Sequence, residues 1–212
     1  MGIEWEVFVN LFQQYTDHYA QWFSPSTDGY PTLATSFRLA ASENVSADRK
    51  ADMDVLGTIV AMFLICSISA APLDPLLLHF FTHDCNLQII HPTLLAKWHP
   101  ERKQIIQCWI NLGPNRDPAP FQDYFVSYHD IQVSRLQCQL FCSNTPYIIG
   151  WLQGHDQKTH DMVAMDMLHR MVVGPQPSSH PELAAFKHGF ELPCRNGFKF
   201  TEVHDWKYVQ CQ

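Results

Sequence analysis

Charge is scarce in this chain of 212 residues: Asp, Glu, Lys and Arg together make up 17% of it, against about 25% in an average soluble protein. With apolar residues at 46% and aromatics at 13%, that deficit excludes a disordered polyelectrolyte and a charge-laced coiled coil. It points to a globular chain that buries most of itself. Positive charge is the scarcer sign, since 14 Lys and Arg face 21 Asp and Glu for a net charge of −7. No Lys/Arg cluster is present to displace counterions from a phosphate backbone, so a nucleic-acid partner is not expected. The start, Met1 to Glu6, lacks the basic and apolar regions of a secretory leader. The seven cysteines, an odd number, are therefore expected as reduced thiols in cytosol or nucleus rather than as a disulfide framework. No G-x-S-x-G, P-loop or G-x-G-x-x-G string occurs, which removes the usual signatures of serine hydrolases and nucleotide phosphate cradles.

A membrane span is also missing. A long uncharged run, Val55 to Leu73, carries Gly57, Thr58, Cys66, Ser67 and Ser69, and no Lys or Arg follows closely. That pattern predicts a buried core helix rather than a span. Ser46 can cap its start, and Asp74-Pro75 opens the next helix with Asp74 as N-cap and Pro75 at the first helical position.

Apolar spacing supplies most of what is present. Trp5, Phe8, Phe12, Tyr15, Tyr19 and Trp22 recur every three or four residues, predicting one aromatic stripe along a helix that Ser24-Pro25 stops and that docks on the core. Two short helices are predicted over His91 to His99 and Pro100 to Leu112, burying Leu94, Leu95, Trp98, Ile105, Ile106, Trp109 and Ile110. A Pro- and Asp-rich loop, Pro114 to Pro120, is the best internal boundary. Beyond it Leu136, Cys138, Leu140 and Cys142 alternate at period two, and Tyr147-Ile148-Ile149 follows a turn, as in a small hairpin-bearing subdomain. Helical signals resume at Thr159 with Met162, Met165, Met167, Leu168, Met171 and Val172, and Pro181 opens a last helix through Phe190.

Few constellations carry chemistry. His79 and His83, four apart on a predicted helix and followed by Cys85, could face one metal, and Cys138 and Cys142 offer two thiols. Neither group completes a four-ligand set, so no metal or cofactor is expected. Cys194, beside Arg195, is the one cysteine in a loop-like context suited to a lowered pKa, with packing as its bland alternative. Carboxylates are scattered and are expected as solvated surface. Twelve histidines make the surface potential sensitive to mild acid, since charging all of them moves −7 to +5.

In order along the chain, four stretches resemble the N-terminal lobe of the HECT ubiquitin-ligase domain. Val7-Phe8-Val9-Asn10-Leu11-Phe12 with Trp22-Phe23-Ser24-Pro25-Ser26-Thr27-Asp28-Gly29-Tyr30 is similar to the family's opening helix and the short strand after it. Leu56-Gly57-Thr58-Ile59-Val60-Ala61 with Ala71-Pro72-Leu73-Asp74-Pro75 resembles its glycine-bearing central helix and exit. Thr159-His160-Asp161 stands where the family's chain returns from its small subdomain. Pro181-Glu182-Leu183-Ala184-Ala185-Phe186-Lys187-His188-Gly189-Phe190 resembles the AF-x-x-GF signature near the end of the lobe.

The resemblance implies an α+β, helix-dominated fold, with a large helical subdomain over 1–113 and 155–212 and a small one over 114–154. It implies a ubiquitin-conjugating enzyme as partner, docked in an apolar groove of the small subdomain. Position and aromatic enrichment at interfaces make Phe125, Tyr128, Leu140, Phe141, Tyr147 and Trp151 the groove candidates. The family's thioester cysteine lies in a second lobe that none of these 212 residues matches, so no residue inherits the catalytic role and the chain alone is expected to be inactive as a transferase. The alternative is a non-enzymatic helical interaction or scaffold module that uses the methionine-rich helix as an adaptable face.

Overall fold

The computed structural model describes residues 3–24, 30–35, 45–65, 73–121, 154–174 and 176–191. Among them helices dominate: α1 (Ile3–Asp17), α2 (Tyr19–Trp22), α3 (Ala47–Ile65), α4 (Pro75–Thr82), α5 (Pro92–Trp98), α6 (Pro100–Leu112), α7 (Gln157–Val172) and α8 (Pro181–Phe190), with 3-10 turns at Leu87–Ile89 and Ala119–Phe121. The strands β1 (Phe23–Ser24) and β2 (Thr32–Leu33) pair antiparallel, Phe23 opposite Leu33 and Ser24 opposite Thr32. The architecture is thus helix-dominated α+β. No described helix is long and apolar enough to cross a membrane. The chain divides into two compact units, Met1–Leu94 with Val172–Gln212, and Leu95–Met171.

Helix ends follow local chemistry. Ser46 Oγ accepts from the Arg49 N–H at 3.1 Å, and Asp74, fully buried, accepts from the Leu76 N–H at 2.8 Å ahead of Pro75. Both satisfy N–H groups that have no partner within the helix. His180 caps α8 through Nδ1, which accepts from the Glu182 N–H at 3.2 Å. Gly113 ends α6 at a φ of 75°, a left-handed conformation that costs glycine nothing.

In the first unit α3 is the centre. Met53, Leu56, Gly57, Ile59, Val60, Ala61, Phe63 and Leu64 are all buried, a broad apolar face, while Val55 and Ile65 on the other side stay exposed. Phe12 of α1 meets Phe63 edge-on with centroids 4.8 Å apart. On α4, Phe81 packs against Phe186 and Phe190 of α8 at 5.1 and 6.3 Å. The closest helix contact is between α3 and α8. A Cβ on Gly57 would fall on the Phe186 carbonyl oxygen, and one on Gly189 would fall on the Asp54 carbonyl oxygen. The two glycines therefore let backbone touch backbone. Thr58 exploits the approach: its hydroxyl lies 3.1 Å from the Asp54 oxygen of its own helix and 3.3 Å from the Gly189 oxygen across the contact.

In the second unit Leu95, His99, Ile106, Trp109, His155, His160, Val163, Met167 and Met171 are buried. Asp156 Oδ1 accepts from the Thr159 N–H at 2.8 Å at the start of α7. Arg102 donates to the Met171 carbonyl.

Several expectations change here. The predicted single aromatic helix is interrupted at His18, and of its stripe Phe12, Tyr15 and Trp22 are buried whereas Tyr19 is 36% exposed. Ile110, assigned to a buried face, is 50% exposed. On α7 Met167 and Met171 are buried, but Met162 and Met165 are exposed. The carboxylates Asp74 and Glu182 are not solvated surface but fully buried.

Gly189→Ala places a methyl group against unyielding backbone, so it should lower stability by at least the roughly 1–3 kcal/mol that overpacking usually costs. Urea denaturation reads this, and a loss below about 0.5 kcal/mol, ordinary for a surface position, would mean that α3 and α8 part freely.

Candidate functional site

The groove candidates Phe125, Tyr128, Leu140, Phe141, Tyr147 and Trp151 lie outside the described residues, as do Cys138, Cys142 and Cys194. Three other clusters can be built from the residues upward.

The first holds the start of α8. Arg49, in the first turns of α3, sends Nε to Glu182 Oε2 at 3.3 Å and donates through Nη2 to the carbonyl oxygens of Gln21 at 2.9 Å and Ala34 at 2.7 Å. Its guanidinium also lies 4.0 Å from the centre of the Trp22 ring, a favourable cation–π distance. One side chain thus joins α2, the residue after β2, α3 and α8. Glu182 is fully buried, and burying a carboxylate is costly unless it is paired and hydrogen-bonded. Nearby, Tyr15 donates its hydroxyl to the Asp52 carbonyl at 3.0 Å; burial first, and then Asp52, push its pKa up to about 12 against the pull of Arg49. Sequence reasoning missed the pair because its partners are 133 positions apart and each has an ordinary place near a helix start.

The second cluster is in the other unit. His155 Nε2 and His160 Nδ1 are 2.8 Å apart, so one nitrogen donates and the other accepts. Trp109 lies nearly parallel to both rings, with centroids at 5.5 Å for His155 and 4.7 Å for His160. Its Nε1–H donates to the His160 carbonyl at 3.0 Å, and Phe121 meets it edge-on at 5.3 Å. His155 and His160 are 5% and 2% exposed, which closes them to a substrate. No spacing rule connects Trp109 with two histidines some fifty positions later.

The third cluster lies at the C-terminal end of α4. His79 and His83 have ring centroids 4.2 Å apart. Burial, then the neighbouring His83, lowers the His79 pKa to about 4. Beyond them Asp84 and Cys85 turn the chain with φ of 53° and 59°. The Cys85 thiol is pushed up, chiefly by burial, with Glu191 and Asp84 adding to the effect and Lys187 opposing it. A raised thiol is a poor nucleophile at neutral pH. Lys187 is shared between Glu191 at 3.2 Å and Asp84 at 3.5 Å. Among the described residues no three His, Cys, Asp or Glu converge as a metal centre.

The described residues therefore supply two structural joints and one half-exposed imidazole pair. Compared with known protein families, curated proteins and solved structures, the chain shows no match to any.

Arg49→Met removes the guanidinium from a buried carboxylate and should cost about 3–5 kcal/mol. Adding Glu182→Gln should recover part of that loss in a double-mutant cycle read by urea denaturation; additive effects would show the two side chains to be uncoupled. For His79 the unfolded chain takes up its proton first, because the folded pKa lies below the ordinary 6.5. Its contribution to stability is complete above about pH 6.5 and declines as pH falls toward about 4. Thermal midpoints measured across that window should fall less steeply for His79→Gln than for the native chain.

Proposed function

We propose that this chain is a HECT-type ubiquitin-ligase lobe that docks a ubiquitin-conjugating enzyme and does not itself form the ubiquitin thioester. The observation that carries this reading is the reciprocal contact of the two most distinctive matched stretches. Gly57 of Leu56-Gly57-Thr58 lies against the Phe186 carbonyl, and Gly189 of Ala185-Phe186-Lys187-His188-Gly189-Phe190 lies against the Asp54 carbonyl. Two independent chance matches would have no reason to place their glycines in each other's contact. The Asp74-Pro75 exit of the central stretch also opens α4, whose Phe81 packs on Phe186 of the same signature.

In this reading the described helices are the scaffold, and the docking groove belongs to the segment that carries Phe125, Tyr128, Leu140, Phe141, Tyr147 and Trp151. Aromatic anchors of this kind supply most of the energy of a small interface. Of the described cysteines, Cys85 is part-buried with a raised pKa, which makes it a poor thioester nucleophile. A second reading, a non-enzymatic interaction module, is favoured by Met162 and Met165 at 43% and 37% exposure on one side of α7, since exposed thioethers adapt to varied partners.

Biolayer interferometry of the purified chain against a panel of ubiquitin-conjugating enzymes decides between them. Docking predicts binding to at least one member, weakened by Phe141→Ala or Tyr147→Ala. No association across the panel removes the docking reading and leaves the interaction module. With charged conjugating enzyme, a reducible ubiquitin adduct on the chain would overturn the claim that it is not a thioester acceptor.

A further inference from the structure

His79 lies in the last turn of α4 and His83, four positions on, is the C-cap residue just beyond it; the two rings lie side by side. Both are half-buried, with rings 4.2 Å apart between centroids and tilted by 49°. The Nδ1 atom of His83 lies 2.9 Å from the His79 carbonyl oxygen and 3.0 Å from the Thr82 hydroxyl, which itself lies 2.8 Å from that carbonyl. A carbonyl oxygen only accepts, so Nδ1 carries the ring proton and donates it, and the lone pair of His83 is on Nε2. An imidazole with one N–H tied to a backbone carbonyl and its far nitrogen free is the arrangement in which histidine ligates metals, because the tie fixes tautomer and ring orientation. His79 makes no ring hydrogen bond to any described residue. Asp84, with its side chain 93% exposed, follows His83 directly and adds negative charge beside the pair. The cation that reaches Asp84, Lys187, is also engaged by Glu191.

We propose that His79 and His83 form a two-imidazole site for a late first-row divalent cation, Cu2+ above all and Zn2+ next, with water completing the coordination shell. Imidazole nitrogen suits these ions, whereas Mg2+ and Ca2+ require oxygen donors, and Cu2+ leads the divalent series for a given nitrogen site. No third His, Cys, Asp or Glu joins the pair among the described residues. The site is therefore open and exchangeable rather than a closed structural centre. Because its ligands lie one turn apart at the end of α4, just before the left-handed Asp84 and Cys85, a bound ion holds that last helical turn in place. The site stands independently of the ubiquitin reading.

The test uses the full chain with Cu2+ alone. Electron paramagnetic resonance of the first equivalent should show coupling to two imidazole nitrogens, and the thermal midpoint should rise with Cu2+ by mass action. His79→Gln and His83→Gln should each weaken that equivalent at least tenfold and abolish the rise, while His91→Gln, on an exposed residue outside α4, should leave both unchanged. A readout that needs no variant guards against misfolding: Cu2+ should shield His79 and His83, and not His91, from diethyl pyrocarbonate as read by peptide mass spectrometry. Unchanged binding in both glutamine variants, equal modification of the three histidines with and without Cu2+, or an equal midpoint rise with Mg2+ would each overturn the proposal.

Discussion

The contact between α3 and α8 sets the terms for the rest of the first unit. Two helices usually pack with 8–10 Å between axes, held apart by side chains. Here glycine on each partner removes the spacer, and the Thr58 hydroxyl lies within hydrogen-bond distance of a carbonyl oxygen on each helix. With α8 drawn in this far, Phe186 and Phe190 reach Phe81 of α4, and Phe12 of α1 covers another part of α3 through Phe63. The broad buried face of α3 follows from packing against more than one helix, while Val55 and Ile65 stay exposed.

A chain with little charge uses what it has at joints. Arg49 is a rigid planar fork whose Nε meets a carboxylate, whose Nη2 meets two backbone carbonyls and whose face meets an indole. Lysine could not replace it, since a point charge on a flexible stem cannot satisfy that set together. A buried ion pair contributes little net stability compared with apolar residues of the same shape. What it adds is directional, because the contacts of one guanidinium fix how the start of α8 meets α2, α3 and the residue after β2. Asp74 does the same on a smaller scale as a buried cap.

Local punctuation was readable from the sequence. Ser46, Asp74-Pro75, Pro100, Gly113 and Pro181 mark helix ends through groups acting within three or four positions, and α4, α6 and α8 begin where those residues place them. Burial was readable where periodicity was strict, as at Leu95, Ile106 and Trp109. It failed where the partner was distant. Ile110 fits the apolar spacing of α6 yet faces out, and nothing local marks the interruption at His18. Asp156 begins α7 two residues ahead of the expected start, because an Asp in a polar run gives no warning that its side chain will cap. Glu182 with Arg49, and Trp109 with His155 and His160, bring together residues that only the complete fold makes neighbours. Of the sites, the His79 and His83 pair was visible as a spacing, while the hydrogen bond that fixes its tautomer required coordinates.

The same α3–α8 contact has a consequence for how the protein is made. Thr58 and the glycine it reaches are 131 positions apart, and the whole second unit is translated between them. At roughly 5–20 residues per second, a ribosome takes on the order of 10 s to deliver α8 after α3 has emerged. Throughout that interval the central helix of the first unit has emerged without the glycine-bearing partner that it packs against in the folded chain. The fold therefore begins with a wait, and the nascent chain must be kept from aggregating until its last described helix arrives.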